Sequence, residues 1–197
     1  QAQQSLHEVE QAAQLAKDVG LNTIYAWAAS ALGYLYAMTN DLQSAEKWLE
    51  TCQSIEINPL QQSGGGGALR SIQTVWSRCF IALGYGNYDD ARAYLRSTLE
   101  PVYQMHGIGM LILLLPVVAV IYAHDEQVER AAELVGLMQT FGSGEIGWLA
   151  YWSPFIDAHD HIKRSLDDVT YQNAYERGQS TDIMSATKQI LDEMRSE

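Results

Sequence analysis

The chain has 197 residues, of which 47% are hydrophobic and 18% charged, and its net charge is −12. That is enough chain for a substantial core, and the composition excludes a disordered polymer. A surface this acidic repels phosphate backbones, which argues against direct nucleic-acid binding, and it keeps an isolated module dissolved.

Gln1 to Val19 reads as an amphipathic helix, with Leu6, Val9, Ala12, Ala13, Ala16 and Val19 near a period of 3.6. Gly20 ends it and Asn22 is placed to cap the next helix. No secretory signal or initiator Met stands at the start, and the helical pattern is already running at Gln1. The segment therefore reads as part of a longer protein. Thr23 to Thr39 and Leu42 to Glu56 form a helix pair, with Asp41 as the N-cap of the second. Leu60 to Leu69, with four glycines at Gly64 to Gly67, is a flexible connection. A phosphate loop would need a preceding strand and a Gly-Lys-Ser/Thr ending, and neither is present.

Ser71 to Tyr85 and Tyr88 to Tyr103 form a second pair, and Met110 to Tyr122 with Glu126 to Thr140 a third. Pro101 to Ala123 carries no Asp, Glu, Lys or Arg. It is read as a buried helix because the wholly apolar part is short, contains Pro116 and runs into His124-Asp125-Glu126. Phe141 to Pro154 is a loop rich in glycine and aromatics. Three helices close the chain: Phe155 to Leu166, Val169 to Arg177 ended by Gly178, and Thr181 to Met194 capped by Ser180 or Thr181.

One spacing occurs twice. Gly33, Tyr36, Ala45, Leu49 and Cys52 are followed at a constant shift of 46 residues by Cys79, Ala82, Ala91, Leu95 and Thr98. Ala119, Tyr122 and Ala131 keep the first three offsets again. Small residues at these positions let two helices approach, so Cys52 and Cys79 read as reduced core residues rather than a disulfide or metal pair. The pattern resembles the tetratricopeptide (TPR) repeat, a helix-turn-helix unit of about 34 residues. That resemblance implies an all-α, right-handed solenoid over residues 1–197 as one domain. Its repeats are 23–56, 71–103 and 108–140, with a C-terminal helical cap at 153–197.

The C-terminal third adds Asp125-x-x-x-Glu129-Arg130-Ala131-Ala132-Glu133-Leu134-Val135-Gly136, then Tyr171-x-x-Ala174-Tyr175-Glu176-Arg177-Gly178. This order is similar to the end of the TPR region in bacterial ATPase-type transcriptional regulators, the LuxR-type maltose activators and the AfsR-like group. The resemblance implies a cytoplasmic, non-enzymatic sensor segment without cofactor, membrane or direct nucleic-acid contact. It also implies a protein partner or small inducer in the concave groove. A generic TPR scaffold and an enzyme's helical accessory domain are the alternatives.

No catalytic residue can be assigned. Asp157 and His161 share a helix face, but His159 points elsewhere, and two ligands do not make a zinc site. The pairs Asp89-Asp90 and Asp167-Asp168 fall at helix starts, where negative charge suits the dipole. The candidate binding surface is the stripe that the repeat register projects into the groove. It comprises Trp27, Ser30, Tyr34 and Met38, then Gln73, Trp76, Phe80 and Leu83, then Leu113, Pro116, Val120 and His124. The stripe suits a peptide, an amphipathic helix or a small ligand if open, and is core if covered. Trp148, Tyr151 and Trp152 form a second aromatic patch that also serves to anchor its loop.

Overall fold

The computed structural model describes residues 2–55, 66–142 and 146–196. Among them the chain is all-helical, with ten α-helices and one 3-10 helix. It divides into two compact units, Gln1–Asn87 and Tyr88–Glu197. The second sequence repeat is split between them.

The first unit holds α1 (Ala2–Asp18), α2 (Asn22–Met38), α3 (Leu42–Ser54) and α4 (Gly66–Gly84). Helix α2 is its centre and packs against the other three. Small side chains make this possible. Ala26, Ala29 and Cys52 form a closed cluster roofed by Trp48 and Ile55, and the Cys52 thiol donates to the Ala26 carbonyl at 3.4 Å. A Cβ on Gly33 would lie 2.6 Å from Leu49 Cδ2, so a larger residue there would have to displace the Leu49 side chain. Cys52 and Cys79 are buried thiols not joined in a disulfide, as expected, and burial pushes the Cys79 thiol up, away from reactivity.

The second unit holds α5 (Tyr88–Gln104), α6 (Ile108–His124), α7 (Val128–Met138), a 3-10 turn (Gly147–Tyr151), α8 (Ser153–Ser165), α9 (Asp168–Gln179) and α10 (Ile183–Ser196). Helix α6 is apolar all round and is packed by α5, α7, α8 and α10, so every residue from Leu114 to Ala123 is buried. Pro116 sits inside it without ending it. None of the described helices is long and apolar enough to cross a membrane.

Five helix ends share one turn. Gly20, Asn40, Gly86, His106 and Glu126 have φ between 53° and 75°. At each, the positive-φ residue donates to the carbonyl three back, and the next residue donates to the carbonyl five back. Gly86 to Leu83 at 3.0 Å and Asn87 to Ala82 at 2.8 Å are one example. This is the Schellman motif, which satisfies orphan carbonyls and stops the helix. After Gly20, Asn40, His106 and Glu126, a new helix begins two residues later. Three of the five positions lack glycine, and an L-residue in this conformation carries a steric cost. Glu126→Gly is therefore expected to stabilise the protein by about 1 kcal/mol, read as a raised urea midpoint at constant slope.

The boundaries differ from expectation in four places. Helix α4 begins at Gly66, so Gly66 and Gly67 belong to its first turn, while Leu60 to Gly65 lie outside the described residues. Asn22 is inside α2 rather than its cap; Leu21 holds that place without a side-chain bond. Asp41 caps α3 as expected, accepting from Ser44 N at 3.1 Å. At α10 the cap is Asp182, not Ser180 or Thr181, and it accepts from Met184 N and Ser185 N at 3.0 Å each.

Gly178 is the fourth difference. It does not end α9, which continues to Gln179. Its missing side chain serves helix packing instead. A Cβ there would stand 1.8 Å from the Glu133 carbonyl oxygen, and one on Gly136 would stand 2.0 Å from the Tyr175 carbonyl oxygen. Helices α7 and α9 thus cross backbone to backbone, and salt bridges from Arg177 to Glu133 (2.7 Å) and Glu129 (3.3 Å) flank the crossing.

Candidate functional site

Most of the stripe expected to face a groove is packed inside its own unit. Trp76 is 4% exposed, Phe80 0%, Leu83 3% and Val120 2%; Ser30 and Pro116 are also buried. Trp76 and Phe80 close an aromatic cluster with Tyr34, at centroid distances of 5.0 Å (Tyr34–Trp76) and 5.3 Å (Tyr34–Phe80). Burial pushes the Tyr34 phenol well up, as an apolar setting does. Met38 and Leu113 are half-buried, and the side chain of Gln73 lies outside those described. Trp76 and Phe80 are core because α4 lies against α2, and Pro116 and Val120 are core because α5, α7, α8 and α10 surround α6. Trp27, 48% exposed, and His124 remain accessible. Trp27 ends a run of exposed apolar side chains that includes Leu15, Val19, Leu21 and Ile24. His124 stacks on Tyr88 at 3.6 Å and approaches Asp125 at 3.0 Å. In the aromatic loop Trp152 is wholly buried, Trp148 packs on it at 5.5 Å, and Tyr151 is exposed.

The open space lies elsewhere, within the second unit. A cleft of about 820 Å³ is bounded by α5, the end of α6, the start of α7 and the length of α10. This volume falls within the range of small-molecule sites. Arg92 and Arg96 enter it from α5, four residues apart on one face. Arg130 enters from α7 and Lys188 from α10; Tyr122, Gln127, Ser185 and Gln189 add polar groups. Residues 88–197 contain eight Lys and Arg and seventeen Asp and Glu; four of the eight cations line this cleft, but only three of the acids, Asp125, Asp192 and Glu193. Positive charge is thus concentrated here within an acidic protein.

Carboxylates hold the guanidinium groups in place. Arg92 bridges Asp89 at 2.7 Å and Asp125, to which its Nε also donates at 3.2 Å. Burial pushes the Asp125 carboxyl up, but hydrogen bonds from Arg92 and His124 outweigh it and hold the group below its usual range. Arg130 pairs with Glu133 and with Glu193 at 2.9 Å, and Tyr122 donates its hydroxyl to the same Glu193 at 2.5 Å. Burial pulls the Arg130 guanidinium down, and the two glutamates more than reverse that. Arg195 ties α10 back to Glu100 of α5 at 2.7 Å, which fixes the far end of the cleft.

No protein-family model, curated protein or solved structure matches the chain.

Asp125 also predicts a pH effect. A carboxyl held low in the folded state adds stability above its unfolded pKa of about 3.9, lost as pH falls through the lower folded value. Asp125→Asn is expected to lower the melting temperature at pH 7. Its melting curve and that of the parent protein should converge as pH drops below about 4.

Among the described residues no group of three or more His, Cys, Asp or Glu is placed to hold a metal ion. His161 Nε2 lies 3.6 Å from a Glu126 oxygen, and His159 stacks on Phe155. The cleft is not visible in the sequence. The Arg92, Arg96 spacing is its one local signal, and that spacing marks a helix face but not what stands opposite.

Proposed function

We propose that this chain is a non-enzymatic, ligand-receiving module of TPR-like helical-repeat type, the sensor region of a bacterial ATPase-type transcriptional regulator. The recurrent Schellman turn, 20 residues apart at Gly20 and Asn40 and again at Gly86, His106 and Glu126, supports the repeat reading. So do the fully buried alanines at 45, 91 and 131, which hold the small-residue position of each pair. The solenoid and C-terminal cap belong to this proposal, with α8 to α10 in the capping role.

The observation that carries the binding reading is the cleft beside α10, with side chains from four helices converging on one space. Catalysis has less support. General acid or base work requires a pKa near the working pH, whereas the Asp125 carboxyl is held low by Arg92 and His124.

A screen by thermal shift tests the binding reading. Ser185→Trp places a large side chain in the cleft from an exposed position on α10. Compounds that raise the melting point are expected to lose their effect in this variant. Ligands that stabilise both proteins equally would move the site elsewhere. The regulator reading has its own test in the gene surrounding this segment. A nucleotide-binding ATPase module and a helix-turn-helix domain are expected in the same polypeptide, and absence of both would overturn it.

A further inference from the structure

We infer that the cleft between α5 and α10 binds a small phosphate-bearing anion. This rests on the binding reading above and names its ligand class. Three observations carry it. The first is charge segregation: half the cations of residues 88–197 face one space, in a region where acids outnumber them two to one. The lining carries these four cations against three carboxylates, Asp125, Asp192 and Glu193, so it is net positive where the rest of the region is acidic, and a concave wall concentrates that field in the space it encloses.

The second is preorganisation. Arg92 and Arg130 are held by carboxylates on their own or adjoining helices, so their positions are set before any ligand arrives. The donor capacity of Arg130 is not exhausted. A guanidinium carries five N–H donors, and Arg130 Nε is buried without a hydrogen-bond partner among the described residues. Lys188, exposed on α10, forms no ion pair among the described residues.

The third is the directions from which the donors come. Arg92 and Arg96 approach from α5, Arg130 from α7 and Lys188 from α10. A carboxylate has two oxygens with their lone pairs in one plane, the geometry a single guanidinium fork matches. A phosphate offers oxygens in three dimensions and accepts from several elements at once. Gln127, Ser185 and Gln189 remain for the body of the ligand, and the cleft volume admits a phosphate ester of a sugar or nucleoside.

Isothermal titration of the whole chain with pyrophosphate, at low and at high salt, tests this. Binding is expected at low salt and is expected to weaken as salt rises. Lys188→Glu and, separately, Arg96→Gln are each expected to weaken it at least tenfold while circular dichroism and melting stay close to those of the parent protein. Lys163→Glu, on α8 outside the cleft, is the control and is expected to leave affinity unchanged. No heat with pyrophosphate, or an equal loss in the Lys163 variant, would overturn the proposal. Citrate binding more tightly than pyrophosphate would overturn the phosphate assignment. Failure here with a cleft-dependent compound from the thermal-shift screen would reject the anion and keep the site. Failure of both would reject the site.

Discussion

Gly178→Ala is expected to destabilise the second unit by about 3 kcal/mol or more, at or beyond the upper end of overpacking costs. A typical overpacked site relieves itself by turning a side chain. Here the added methyl would meet the Glu133 carbonyl at 1.8 Å and the Leu137 amide nitrogen at 2.9 Å, both backbone, so whole helices must separate. Separation would also pull Arg177 from Glu133 and Glu129. Gly136→Ala strikes the same crossing from the other side, 2.0 Å from Tyr175 O. The double variant is expected to cost less than the sum of the two, because one displacement relieves both clashes. Urea unfolding followed by circular dichroism measures all three. A cost below about 1 kcal/mol for Gly178→Ala would show that α7 and α9 do not cross at this distance.

Trp76→Ala is expected to cost about 3 to 5 kcal/mol, the range for removing a large buried aromatic. For a chain of this size that lowers the melting point by roughly 6 to 20 °C. The side chain is 4% exposed and leans on Tyr34 and Phe80, so its loss opens a cavity that the two remaining rings cannot fill. Trp76→Phe makes the sharper comparison. Among the described residues the indole Nε1 has no hydrogen-bond partner, and a buried unsatisfied donor itself costs about 1 to 3 kcal/mol. Phenylalanine removes that donor while keeping most of the ring. Its net cost is expected to be about 1 kcal/mol or less. An unchanged melting point in Trp76→Ala would instead mean that Trp76 stands on an open surface.

These two residues also mark where the sequence could be read and where it could not. Helix placement was legible because local signals fix it. Gly20 and Asn40 stop helices through their own backbone conformation, and Asp41 caps α3 through its own side chain. The buried cysteines were legible because Cys79 shares its repeat position with Gly33 and Ala119, and Cys52 shares its position with Thr98, places for small side chains between packed helices. Gly178 was misread because glycine has two uses. It ends helices by adopting positive φ, and it permits close crossing by lacking a Cβ; only the partner helix tells which applies. Trp76 carried the same ambiguity, since an aromatic stripe on one helix face looks alike whether the face is covered or open. The choice between Ser180, Thr181 and Asp182 as cap was a matter of one turn, within the ordinary uncertainty of helix ends.

The cleft was illegible for a different reason. Arg92 and Lys188 are almost a hundred residues apart, and nothing in either helix states that α10 returns to α5. That return is made by α10 packing on α5 and α6, by Arg195 reaching Glu100, and by Tyr122 and Arg130 sharing Glu193. Charge composition pointed away from it. A net charge of −12 describes the whole surface and hides a local excess of the opposite sign. The inference that the chain repels nucleic acid and the inference that one cleft attracts a small anion are compatible. The first concerns a long polymer meeting the averaged field, the second a small ion entering one concavity.

The most direct measurement is the NMR spectrum of the arginine Nε–Hε groups during a pyrophosphate titration. Arg92, Arg96 and Arg130 are expected to shift together and saturate, while Arg78 and Arg164 stay where they are. Uniform small shifts at every arginine, or saturation at Arg78 or Arg164 instead, would contradict it.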